Sequence, residues 1–180
     1  FDSLNMYTGG PPTSFYYAVA GNALNVRNVG VQFFNNVVDN QPMSNFTYLK
    51  RTVPNIPASY LLYTDHLQVS IQDISSVTTD RLVVSTFTLT YPSVFNFNNQ
   101  TNFYFELPAS SSGNYLVINN FSYGSANPVL LDLTSNLRYT GDVTSMPGKV
   151  QFVLPASLVA TRQFELVSED PTVINTVNSL

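Results

Sequence analysis

Few side chains in this sequence could do chemistry. His66 is the single histidine among 180 residues, and there is no cysteine. His66 follows Asp65 at the head of the stretch DHLQVSIQDI. A carboxylate can orient an imidazole, but general-base chemistry also needs a nucleophile within reach. No Gly-x-Ser-x-Gly turn offers one. The lack of cysteine removes a thiol nucleophile, a disulfide framework and a thiolate metal site. His66 therefore reads as a partly exposed loop-edge residue. The chain is expected to be no enzyme and to carry no cofactor.

The eleven acidic residues stand alone, apart from Glu169-Asp170. Glycoside hydrolysis needs two carboxylates across one cleft, and nothing in their spacing suggests such a pair. Calcium takes oxygen from Asp, Asn and backbone carbonyls. Asp80, Asp132 and Asp142 lie near turns and are the candidates for it, but without EF-hand spacing their default role is to shape turns. Aromatic side chains could stack on sugars. Tyr16, Tyr17, Tyr48, Tyr60 and Tyr63 are the ligand candidates, with Phe15 and Tyr104 beside them. Trp is absent, and aromatics at period two more often fill a core or pair across strands. Three Asn-x-Ser/Thr sequons begin at Asn45, Asn99 and Asn120, no more than chance gives in a chain with twenty Asn.

These residues are set among strands. Charged residues make up 10% of the chain and net charge is −4. Asn, Ser and Thr supply the polarity, and β-branched and aromatic residues suit a pleated, half-buried surface. Seven scattered Lys and Arg form no basic stripe, so nucleic acid is an unlikely partner. No apolar run is long enough for a membrane-spanning helix. The opening FDSLNMYTGG has neither the basic nor the apolar part of a signal peptide. It suits a mature form or, preferably, an excised fragment.

Strand signals recur between Gly, Pro and Asn clusters. They fall at 13–20, 24–34, 46–54, 65–74 and 79–91. After Pro92 come 102–107, 115–121, 128–134, 149–154 and 162–168. NNVVDNQP reads as a turn region, and Pro57-Ala58-Ser59 as a single helical turn. In TDRLVVSTFTLTY, alternation puts Val83, Ser85, Phe87, Leu89 and Tyr91 on one face. So many short strands imply an all-β fold: an antiparallel β-sandwich over 1–91 and a second small sandwich or barrel over 92–180. Pro92 cannot donate to a ladder. Tyr91, Pro92, Phe95 and Phe97 are therefore expected at the junction, with Phe103, Phe105 and Leu107 on one face beyond it.

Several segments in order carry a resemblance. They are VQFFNNVVDN, VPNIPASYLL, LQVSIQDI and TDRLVVSTFTLTYP, then FYFELP, NYLVINNF, PVLLDLTSNLRY and FVLP. The first group resembles a jelly-roll module of the galactose-binding-like type. Roughly residues 15 to 180 are similar to the region before the catalytic domain in gingipain-like, family C25 cysteine peptidases of Bacteroidota. The PorU-type sortases of the type IX secretion system are the nearest kind. Where relatives carry a basic residue after Tyr-Pro, this chain has Ser93.

The resemblance implies a non-catalytic β region, N-terminal to a peptidase domain of the same chain whose His and Cys lie elsewhere. It implies an exported protein that is periplasmic, outer-membrane-associated or extracellular. Its partners would be that peptidase domain and the secretion machinery. A prosegment-like inhibitory role would need a protruding basic residue on a loop, with Arg51 or Arg138 as candidates. The alternative from another class is a carbohydrate-binding module whose partner is a glycan.

Overall fold

The structure is a computed structural model that describes residues 1–2, 4–62 and 66–174. The ligand candidate Tyr63 and the acid beside His66, Asp65, lie outside the described residues. The chain divides into two compact units, Phe1–Val94 and Phe95–Leu180.

The first unit holds β1 (Thr13–Gly21), β2 (Val26–Phe33), β3 (Asn36–Ser44), β4 (Tyr48–Ile56), β5 (Val69–Ile74) and β6 (Leu82–Thr90). They form two antiparallel sheets of order β4-β1-β6 and β3-β2-β5. Alternation in the sequence is the reason they pack. Phe15, Tyr17 and Val19 of β1 and Val29, Val31 and Phe33 of β2 are wholly buried in one shared cluster. These are the inner faces of a sandwich. The helical turn expected after Pro57 is a single 3-10 turn at Ala58–Tyr60, with Leu61 buried behind it.

Two sequence expectations fail here for identifiable reasons. NNVVDNQP is strand β3, not a turn region. Its pairing with β2 runs through Asn28↔Pro42, and β2 is its sole neighbour in the sheet. A proline fits an edge strand whose missing N–H faces away from the ladder. In β6 the face expected to run through Val83, Ser85, Phe87, Leu89 and Tyr91 holds from Phe87 onward and fails at Val83 and Ser85. Val84 pairs with Val19 and Phe87 with Tyr17, because a bulge at the Ala18/Val19 step gives β6 one extra residue. One inserted residue exchanges the two faces of a strand, so Val83 is turned outward.

The second unit holds β7 (Asn96–Gln100), β8 (Asn102–Ser110), β9 (Asn114–Phe121), β10 (Val129–Asp132), β11 (Leu137–Thr140), β12 (Lys149–Leu154) and β13 (Ser157–Val167). Its sheets run β11-β10-β13-β8 and β12-β9-β7. They remain two sheets, so the sandwich is found and the barrel is not. One pairing, β7 with β9, is parallel; the others are antiparallel.

The stretch expected at the junction divides between the two units. Tyr91 packs against the first cluster. Pro92 O accepts from Tyr7 N, and Ser93 Oγ donates to Asn5 O. Phe97 is buried in the core of the second unit, and Phe95 packs against that same core. Phe97 stacks on Phe103 with centroids 3.9 Å apart. Phe103, Phe105 and Leu107 share this core, as their alternation requires.

Several asparagines take left-handed backbone, Asn45 and Asn136 in turns and the others within strands. Asn45, Asn55, Asn98, Asn99, Asn120 and Asn136 all have positive φ, a region in which Asn is tolerated better than most residues.

Phe97→Ala removes a wholly buried ring and is expected to cost about 3–5 kcal/mol. Phe95→Ala, at a half-buried position, is expected to cost less. Urea unfolding followed by far-UV circular dichroism measures both, and equal costs would contradict the burial difference.

Candidate functional site

The strongest electrostatic feature of each unit is a buried arginine. Arg27 stands at an inward position of β2 and is 2% exposed. Its Nη2 donates to Asp80 Oδ1 at 2.6 Å and its Nε to Asp80 Oδ2 at 2.9 Å. Nη1 donates to Asn45 O and Nη2 also to Ala23 O. One side chain thus ties three loops to β2. Gly21 is needed beside it, because a Cβ there would collide with Arg27 Nη1 and Asn45 O. The Arg27 hydrogen bonds hold the Asp80 carboxyl far below the usual carboxylate range.

The second unit repeats the device. Arg162 of β13 donates through Nη2 to Asp132 Oδ2 at 2.7 Å and through Nη1 to Pro155 O. Its guanidinium also lies 4.8 Å from the Phe164 ring centroid. Burial pushes the Asp132 carboxyl up, but the Arg162 and Ser135 bonds outweigh it and leave it below its ordinary value.

Each calcium candidate is thus engaged by the protein itself. Asp80 pairs with Arg27. Asp132 pairs with Arg162 and accepts from the N–H groups of Thr134 and Ser135. Asp142 accepts from Thr144 N, Thr144 Oγ1 and Ser145 N. Among the described residues no three His, Cys, Asp or Glu gather around a metal position.

The sugar-stacking candidates separate. Phe15 and Tyr17 are in the core and cannot reach a ligand, because their phase on β1 points inward. Tyr17 crosses the sandwich, and its hydroxyl donates to Asp39 Oδ2 at 2.8 Å; burial first, then Asp39, raises its pKa. Tyr60 packs against the same core. Tyr16 is half-buried, between Thr52 and Thr88 in register. Tyr48 is exposed on that outer face, with Lys50 Nζ 5.2 Å from its ring centroid.

Tyr104 is exposed on β8 and donates to Glu106 Oε1 at 2.6 Å. That bond is the main cause that pushes its pKa up to about 12. Gln163 and Glu165 face Glu106 and Tyr104 across the β13 ladder. Glu165 is raised by burial.

The basic residues named for an inhibitory loop are on strands. Arg51 of β4 bonds Asp39 at 3.4 Å. Arg138 of β11 bonds Glu169 at 2.7 Å. Neither protrudes from a loop. His66 forms an isolated bridge with Asp2, and its ring lies edge-on to Phe34 at 6.3 Å.

Sequence reasoning passed over Arg27, Arg162 and Asp170. The signal for the arginines was present: each occupies the apolar phase of a strand, in NVRNVGV and in TRQFELV. Asp170 gave no such signal. It is 4% exposed and accepts from Ser125 and Thr172, whose hydrogen bonds hold it far below the usual range.

No protein-family model matches the chain, and no curated protein does. Among solved structures, the crystal structure of dimeric latent PorU from Porphyromonas gingivalis is similar. The TM-score is 0.59 at 11% identity, over 95% of this chain and 17% of that one. The likeness is one of fold. The chain spans about a sixth of that protein, 17% of its length.

Asp132→Ala is expected to cost about 3–5 kcal/mol, because it strands a buried guanidinium, whereas Asp132→Leu with Arg162→Met recovers most of that stability. Urea midpoints of the two variants test it. If the double variant were the less stable, the pair itself would be a net source of stability.

Acid behaviour follows from the carboxylates. Asp39, Asp80, Asp132, Asp142 and Asp170 are all held below their ordinary value. Their stabilisation is present above the unfolded aspartate value of about 3.9 and is lost as pH falls below it. Asp73 is the opposite case: burial first, then Asp80, raises it. Its Oδ1 has no hydrogen-bond partner. The cost of ionising Asp73 appears as pH rises through its raised value. The melting temperature should be steady near neutrality and fall below about pH 4. Asp73→Asn should raise it at pH 7 and not at pH 3, as calorimetry across pH would show.

Proposed function

We propose that this chain is a non-catalytic β region of an exported, PorU-like protein, preceding a C25-like cysteine peptidase domain and acting in domain assembly or interaction. The observation that carries the reading is the fold likeness to a region of PorU over 95% of this chain. The absence of cysteine and the single histidine agree with it. So does the use of the arginines and most of the acids: they bond loops and turns to strands, and they form no cleft. The role is that of two sandwich units whose surfaces meet a neighbouring domain. The peptidase domain of the same chain is the first partner, and the secretion machinery the second.

A second reading, glycan binding, keeps one specific support. Tyr48 and Tyr104 are exposed, and Tyr104 is held by Glu106 beside Gln163. A glycan array on the chain, with Tyr48→Ala and Tyr104→Ala as controls, would register a hit that one of them abolishes.

The coding sequence read past Leu180 tests the first reading. It is expected to enter an α/β region carrying a His and a Cys. A stop codon at that point would overturn the proposal.

A further inference from the structure

β6 is an edge strand without the usual guards. It lies at the end of the β4-β1-β6 sheet and, among the described residues, pairs along its length with β1 alone. Edge strands are normally blunted by charge, proline or a bulge. LVVSTFTLT has no charge and no proline over nine residues, and its single protection is the bulge at Ser85. β5, which faces it, is likewise the end strand of its own sheet.

The side chains between these two edges are inward-facing yet uncovered. Phe87 and Val84 sit opposite the buried Tyr17 and Val19, but are 51% and 40% exposed. With Val69 and Ile71 of β5, and with Phe1, they line a groove of about 330 Å³. No charged side chain is among the five. On the β5 flank the groove holds one apolar ring, that of Phe1, whose backbone pairs with Leu67 and leaves the β6 edge free among the described residues. Phe1 N donates to Leu67 O, Leu67 N donates to Phe1 O, and the Phe1 ring stands edge-on to Phe87 at 5.9 Å. This is an aromatic side chain carried on paired, extended backbone.

We propose that the β5–β6 groove is a docking site for an extended, uncharged peptide segment of a partner. The segment pairs its backbone with the outer edge of β6 and lays alternate apolar side chains over Val84 and Phe87. Backbone pairing supplies the affinity, and the apolar groove selects the side chains. A charged segment is rejected, because its side chains would lose water without gaining a partner.

The probe is a fluorescein-labelled heptapeptide of alternating Thr and Val with a central Phe, capped at both ends, and titrated onto the whole chain. Its counterpart carries Glu at every apolar position. The first is expected to bind saturably and the second not. Hydrogen exchange on the wild-type chain is expected to slow at the amides of residues 82–90 when the first peptide is present. Val84→Lys should weaken binding about tenfold or more; the partial exposure of Val84 lets the lysine head reach water. Exchange at residues 82–90 that does not change at saturation would overturn the proposal, with no variant needed. So would a wild-type dimer in sedimentation that Val84→Lys disperses, since a second copy would then own the edge.

Discussion

A guanidinium kept from water must be met on every side, and that requirement organises each unit. Arg27 is satisfied by Asp80, Asn45 O and Ala23 O together. Those groups belong to three loops, which the guanidinium joins to β2 in addition to their backbone bonds. Arg162 is met by Asp132 and Pro155 O in the same way. Such a pair adds little to stability compared with apolar residues of the same volume, yet losing one partner is costly. Its effect is therefore to specify: loops that left their positions would strand a buried charge. Gly21 has to be glycine for the same reason.

The acids follow from this economy. In a chain with only 10% charged residues, most carboxylates are consumed by local donors. Asp142 and Asp170 close turns through N–H and hydroxyl groups two and three residues away or across the unit. A carboxylate with its lone pairs filled offers little to a metal or to a proton in transit. Asp73 is the exception, raised and without a hydrogen bond at Oδ1, and it is placed beside Asp80 and Arg27 instead of in a cleft. The fold itself is shared over most of the chain with a small part of PorU.

The edges tell the complementary story. β3 carries Pro42 within its run, whereas β6 is nine residues of neutral strand beside an apolar groove. An open sheet edge exposes unpaired N–H and C=O groups with which another strand can pair.

The sequence by itself determined the class of fold, most strands and the two inner faces of highest regularity. Val29, Val31 and Phe33 alternate without interruption, so their burial was legible, as was that of Phe103, Phe105 and Leu107. It also determined the poverty of catalytic groups. Only the tertiary structure decided the rest, because each remaining feature is set by a neighbour distant in sequence. The strand β3 is invisible without β2 to pair it. The face of β6 depends on a bulge that exists only against β1. Phe97 and Tyr17 read as surface or seam until facing sheets enclose them. Asp80 on Arg27 and Ser125 on Asp170 lie 53 and 45 residues away, and no local pattern in a single sequence records them.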